Sequence, residues 1–424
     1  MNKTLVDVFV IVSILIAAIF GSLPTVLNKK LGLLSAYAGS NQAQYRLAHR
    51  YISSRGGTTA DAVKWYRAAG EDGHAESQFQ LGMIYSTDVD ESDFPKKDFA
   101  KAVLWLQKAA DQEHLEAQNR LGELYEDGNG VEKDIAMAAQ WYRRAAEQGS
   151  ASAKFNLGVL FYVGDGVVKD FSETIRLFRD AADQGHFVAS MRLGWMYDNG
   201  KGVDKDLAEA AGWYRKGIDL AEAARTRFYG YNWDAYEIND FHRESAIRLA
   251  EMYAKGEGVP KDLKQAVELA ETASFQANAE IKIRVGQIFA KAEQFFRAAH
   301  SYSSAAWDGH PSAPLIDQII EWHQKAAERG EVFSMTSLAE IYEKGEWVEK
   351  DIIKTAQWYV QAIEHRDNGA RRYLEDLLPS LIKIAEEGRS DAQKLLDQVV
   401  ALYRKLGDDQ AQAIIDRHAK KERD

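Results

Sequence analysis

Cysteine is absent from the 424 residues, which excludes disulfides, thiolate metal sites, cysteine nucleophiles and a lipid-modified cysteine anchor. Proline is scarce, six in all, while Ala, Leu, Glu and Lys are abundant, as an all-helical protein requires. Positive charge is in the minority: 53 Lys and Arg against 64 Asp and Glu leave a net charge of −11. That disfavours nucleic acid as the main ligand, because a phosphate backbone needs a basic face. Enzyme fingerprints are missing too: there is no P-loop, His-Glu-x-x-His, Gly-x-Ser-x-Gly or dinucleotide motif. The Gly-x-Gly segments join two helical patterns rather than a strand to a helix, so a nucleotide reading fails on context. Adjacent carboxylates such as Glu126-Asp127 fall on polar faces and read as solvating charge. The chain reads as non-enzymatic, without cofactor or metal.

Between Asp7 and Lys29 there is no ionisable residue at all, and Val8 to Phe20 is strongly apolar. About 20 such residues can span a bilayer, so residues 1–30 read as a membrane anchor with 8–28 in the lipid. A cleaved signal peptide is the competing reading, although Ala36-Tyr37-Ala38 lies too far beyond the apolar run to serve as its cleavage motif. The flanking cations, Lys3 on one side and Lys29, Lys30, Arg46 and Arg50 on the other, are nearly balanced and lean towards a cytoplasmic repeat domain.

What the chain has instead is repetition. A short amphipathic pattern, Leu-(Gly/Ala)-x-x-aromatic, appears as Leu47…Tyr51, Leu81…Tyr85, Leu121…Tyr125, Leu157…Phe161, Leu193…Tyr197, Leu249…Tyr253, Val285…Phe289 and Leu338…Tyr342. Four-residue spacing puts leucine and ring on one helix face, and the small residue is expected to admit a neighbouring backbone. A turn follows, Gly128-x-Gly130-Val131-x-Lys133-Asp134, recurring at 164–170, 200–206 and 256–262. In the copy at 345–351, Trp347 replaces the second glycine. The first glycine suits a left-handed helix end, and Asp98, Asp134, Asp170, Asp206, Asp262 and Asp351 stand where an N-cap would open a second helix. That helix ends in Trp-Tyr-x-x-Ala-Ala-x-x-Gly, with Trp65, Trp105, Trp141, Trp213, Trp322 and Trp358 as its expected anchor. Neither helix can bury its apolar face alone, so the units must stack.

The strict spacing, 36 residues between Leu121, Leu157 and Leu193, resembles the Sel1-like repeat family, relatives of the tetratricopeptide repeat with a longer inter-helix loop. The resemblance rests on Gly-x-Gly-Val-x-x-Asp followed by Trp-Tyr-x-x-Ala-Ala and spans roughly three quarters of the chain. It implies an all-α fold, a right-handed α-solenoid of helix pairs, here behind an N-terminal transmembrane helix. It also implies a scaffold or adaptor that gathers protein partners. Bacterial envelope members of the family assist polysaccharide export, regulate sensor kinases or support host contact. The resemblance therefore implies a single-pass inner-membrane protein with a periplasmic repeat domain.

The register divides the chain into the anchor 1–30, a first repeat block 40–218, an aromatic insertion 219–243, a second block 244–365, and a C-terminal helical cap with charged tail, 366–424. Leu193 to Leu249 is 56 residues, one unit plus 20, and the extra stretch holds Tyr229, Tyr231 and Trp233. A second break contains Trp307 to Pro314. Residues 278–308 read as a tetratricopeptide pair with a short turn near Lys291.

Two surfaces are candidate sites. In the related tetratricopeptide fold the first helix of each pair lines the concave groove, and the positions two before and two after the repeat leucine face ligand. Here they give an apolar stripe for a protein partner: Phe79, Met83, Phe155, Val159, Met191 and Trp195, with Asn119 and Glu123 among its polar members. The competing reading is that solenoid curvature buries much of this row. The insertion offers Tyr229, Tyr231 and Trp233 to a polysaccharide or a clamped chain, unless these rings pack back onto the repeats. His74, His114, His186 and His310 all open a repeat and suit a helix start or inter-repeat contact better than a metal site. A helical enzyme with an unrecognised site would instead show a closed pocket of convergent charges.

Overall fold

Each apolar-periodic stretch folds as a helix, and the helices alternate with the turns the repeat spells out. The computed structural model describes residues 33, 35–53, 58–88, 95–227, 235–274, 277–308 and 312–407. The expected anchor 1–30, the rings Tyr229, Tyr231 and Trp233, His310 and the charged tail Lys420–Asp424 all lie outside the described residues. Among the described residues there is no strand, and no helix is long and apolar enough to cross a membrane.

The chain divides into two compact units between Lys205 and Asp206. The first contains α1 (Asn41–Ser53), α2 (Thr59–Glu71), α3 (Ala75–Ser86), α4 (Phe99–Ala110), α5 (Leu115–Asp127), α6 (Ile135–Glu147), α7 (Ala151–Val163), α8 (Phe171–Asp183) and α9 (Phe187–Asn199). The second contains α10 (Leu207–Arg227), α11 (Ala235–Lys255), α12 (Leu263–Ser274), α13 (Ala279–Lys291), α14 (Phe295–Trp307), α15 (Ala313–Glu328), α16 (Val332–Lys344), α17 (Ile352–Glu364), α18 (Gly369–Glu386) and α19 (Ser390–Lys405). Within each unit a helix packs mainly on its sequence neighbours, with the further pairs α11–α13 and α17–α19 in the second. This nearest-neighbour stacking is the defining feature of an α-solenoid.

The repeat's turn works as its residues foretell. Gly128 takes φ +77° and its N–H bonds the Leu124 carbonyl, ending α5 in the left-handed conformation that side chains resist. Asp134 then accepts from the Met137 N–H at 2.9 Å, and its own N–H returns to the Tyr125 carbonyl at 2.9 Å. The other five aspartates cap their helices the same way. Gly130 is required for a different reason: a Cβ there would lie 2.4 Å from the backbone of Phe99, which opens α4 of the preceding pair.

Two packing expectations need correction. The small residue beside the repeat leucine admits a side chain rather than a backbone. A Cβ on Gly122 would meet Tyr142 at 2.5 Å, one on Gly82 would meet Leu106, and one on Gly286 would meet Tyr302. The tryptophan anchors only in part: Trp65 and Trp141 are buried, while Trp105, Trp213, Trp322 and Trp358 are half-buried, and the tyrosine that follows it, as Tyr66, Tyr142 and Tyr359, is fully enclosed. Enclosing such a ring stabilises by about 1.5–3 kcal/mol. In two of the three the hydroxyl keeps a partner: Tyr142 donates to Glu126 at 2.7 Å, and Tyr359 donates to Glu343 at 3.0 Å.

Successive pairs are locked by buried amides. Gln78 donates to the Gly70 carbonyl at the end of the preceding helix and accepts from Gln112 at 2.7 Å. Gln118 repeats the device, donating to Ala110 and accepting from Gln148 at 2.8 Å.

The extra residues of the first register break lengthen two helices. Eight residues after the aromatic anchor, the chain normally turns left-handed, at Gly73 (φ +88°), Gly149 (φ +102°), Gly185 (φ +88°) and Gly330 (φ +88°). Ala221 occupies that place after Trp213, and α10 runs on through it to Arg227. The 278–308 pair, by contrast, has the short turn its sequence announces, α13 and α14 being joined at Ala292–Gln294. The C-terminal segment caps the stack with α18 and α19, whose apolar faces join the core of α16 and α17.

Candidate functional site

The first-helix face of the first unit does not present its six apolar members equally. Met191 is 1% exposed and belongs to the core. Phe79, Met83, Phe155 and Val159 are half-buried, and Trp195 is 36% exposed. The row is also interrupted, because in the intervening repeat Asn119 donates to Glu123 at 2.8 Å, Arg120 pairs with Glu123, and Asn156 reaches back to Asn119 at 3.2 Å. Phe79 and Met83 therefore form one patch, and Phe155, Val159 and Trp195 another.

The capping histidines explain why the row is partly enclosed. His74, His114 and His186 are N-caps, their Nδ1 accepting from the N–H of Ser77, Ala117 and Ala189. Each ring packs against an aromatic ring on the first helix of the preceding repeat. His114 stacks on Phe79 at 4.8 Å, His186 on Phe155 at 4.7 Å, and His74 lies tilted at 5.1 Å from Tyr45. Burial pushes the His186 pKa down to about 4, so its ring is neutral at pH 7 and free to accept at Nδ1. His114 also bonds Glu76 at 3.0 Å, and this holds that carboxyl below its usual range.

The second patch continues onto residues absent from the sequence-derived stripe. Tyr162 contacts Trp195 edge-on at 6.3 Å and Phe171 at 5.5 Å. Val163 at the end of α7 and Val168 in the following turn are strongly exposed. The signal was available: Tyr162-Val163 stands where the preceding repeat has Glu126-Asp127, and Val168 where it has Glu132.

The second unit carries a separate concavity of about 130 Å³. Its walls include Phe296 and Trp307 of α14, Phe333 of α16 and Trp347 of the following turn. Trp307 contacts Trp347 at 5.3 Å, and Phe296 meets Phe333 edge-on at 5.7 Å. Trp347 also packs against the cluster of Tyr302, Ala306, Leu315 and Ile319. Here a large ring occupies the position that Gly130 must leave empty. Among the described residues no group of three or more His, Asp or Glu is placed to hold a metal ion.

The Sel1 repeat profile matches residues 41–74, 75–114, 115–150, 151–186, 188–221, 243–274, 320–331 and 332–367, more than half of the chain. Among solved structures, the chain is similar to a protective antigen present in uropathogenic Escherichia coli strains that displays an SLR fold. That similarity is 25% identity over 92% of this chain and 97% of that one, with a TM-score of 0.54. It is also similar to a Sel1 repeat protein from Oxalobacter formigenes, at 28% identity over 68% of this chain and 96% of that one, with a TM-score of 0.42. No curated protein matches. The chain belongs to the Sel1 repeat family.

Proposed function

We propose that the chain is a non-enzymatic scaffold that docks a protein partner on the first-helix face of its first unit. Sel1 repeats generally mediate protein–protein interaction, which supports the class of function. The observation that carries the location is the Trp195–Tyr162 pair: two adjacent, partly exposed rings beside half-exposed Phe155 and Val159. Large exposed rings next to a polar surface are the usual anchors of protein recognition. Phe79 and Met83 provide a second, smaller foothold across the polar break.

The finer proposal is that the stack is right-handed and tethered to a bacterial inner membrane through residues 8–28, with the repeats in the periplasm. There it would serve envelope assembly, exopolysaccharide export or the regulation of signalling. The uncharged run from Asp7 to Lys29 supports the tether. The similar Escherichia coli protein is described as a protective antigen, and an envelope location agrees with that description. A Met83→Glu/Trp195→Glu double variant tests the docking face, since both positions are partly exposed and glutamate is a good helix former. Affinity capture from native membranes should recover partners with the wild-type chain and lose them with the variant at unchanged helicity. Identical partner sets would refute the placement.

A further inference from the structure

The concavity in the second unit is built from the repeat's departures from its own pattern. Trp347 replaces a glycine, and Trp307 ends a helix pair joined by a short turn in place of the long Gly-x-Gly loop. Two of its rings stay open to solvent, Trp307 at 62% and Phe333 at 63% exposure. Large rings held against each other yet left exposed mark a surface with a further contact to make. The volume, about 130 Å³, is well below the roughly 300–1,000 Å³ of sites for whole small molecules. One functional group fits, and a larger ligand does not.

The charge chooses the group. Glu340 and Glu346 line the rim against a single ammonium, Lys344, whose Nζ is 3.3 Å from Glu340. Glu346 is exposed and makes no ion pair among the described residues, so one carboxylate remains uncompensated. At the floor, His323 shares a hydrogen bond with Ser334 and is kept neutral by burial, adding no positive charge. Ring faces carry negative potential and attract cations. A planar guanidinium can stack on such a face while its edge donates to a carboxylate, which a compact ammonium does less well.

We propose that this pocket binds an arginine side chain presented by a protein partner, stacking it on Trp347 and Trp307 and pairing it with Glu346. The site is separate from the Trp195 face, so either can fail without the other.

The test uses the full chain labelled with 5-fluorotryptophan and observed by fluorine NMR. Trp347→Gly assigns one of the ten tryptophan signals and installs the residue that four sister turns carry. Titration with acetyl-Gly-Arg-Gly-amide should shift the Trp347 and Trp307 signals in a saturable way. The citrulline peptide, a neutral isostere, should bind about tenfold more weakly, and so should the Trp347→Gly variant. Glu346→Gln, at an exposed carboxylate that the fold does not need, should weaken the arginine peptide by about threefold. No shift with the arginine peptide, an equal response to citrulline, or a response to cellobiose in its place would each overturn the proposal. Should Trp347→Gly fail to fold, the citrulline comparison and Glu346→Gln decide the matter alone.

Discussion

Replacing His186 with serine should remove an acid sensitivity from the first unit. In the native chain the neutral ring accepts the Ala189 N–H at 3.2 Å and stacks on Phe155. Its pKa is pushed down to about 4, against about 6.5 for an exposed histidine. Between those values the unfolded chain binds the proton and the folded chain does not. This contribution to stability is therefore intact above about pH 6.5, falls with pH, and is fully lost only below about pH 4. Linkage gives a loss of about 2 kcal/mol between pH 7 and pH 5 from this one ring, and protonating Nδ1 would also abolish its cap. Serine is the natural control, since Ser150 caps the neighbouring α7 through the Ala153 N–H at 3.2 Å. At pH 7 the variant should be less stable by about 1 kcal/mol, because the ring stack is gone. By pH 5 the two chains should be equal, or the order reversed. Urea unfolding followed by helical circular dichroism at pH 7, 6, 5.5 and 5 measures the difference directly. Parallel curves for wild type and variant would refute the assignment of a half-buried, neutral, capping His186.

Gly130→Ala should destabilise by about 3 kcal/mol or more, since its φ is +75° and the new methyl would collide with the Phe99 backbone. Trp347→Gly, at the equivalent place, should cost only the ring's packing on Leu315 and Ile319, about 1–2 kcal/mol, and equal damage at both sites would contradict the role given to the glycine. Gln118→Leu should cost about 1 kcal/mol, because it removes the side-chain bonds to the Ala110 carbonyl, which keeps the Glu113 N–H, and from Gln148. A double-mutant cycle with Gln148→Ala should return a coupling of at least about 0.5 kcal/mol, and additivity would show that the amides do not lock the repeats.

Local chemistry was legible in the sequence wherever a residue has one strong preference. The six capping aspartates and the left-handed glycines that open the turns, at 128, 164, 200, 256 and 345, could be named from the pattern, because carboxylates seek free helix N–H groups and only glycine takes positive φ without cost. Depth of burial was less legible. Met191 and Trp195 are four apart on one helix face, yet one is enclosed and the other open, since the neighbouring repeat decides which part of a face it covers. The histidine caps show the same limit: that each opens a helix follows from position, but its stacking on Phe79 or Phe155 depends on how the next pair docks. The breaks in the repeat were visible as breaks, while their consequences were structural. At Ala221, the place of the usual glycine, α10 continues, and Trp347 joins three other rings from α14 and α16. No spacing rule places those residues together.

The most direct test of the docking face is site-specific photo-cross-linking from the full chain in its native membranes. A photoreactive phenylalanine analogue at position 195 or 83 should trap a discrete protein partner. The same group at position 104, where Leu104 is strongly exposed on a second helix, should trap none. Equal adducts from 104 and 195, or adducts from 104 alone, would contradict the account.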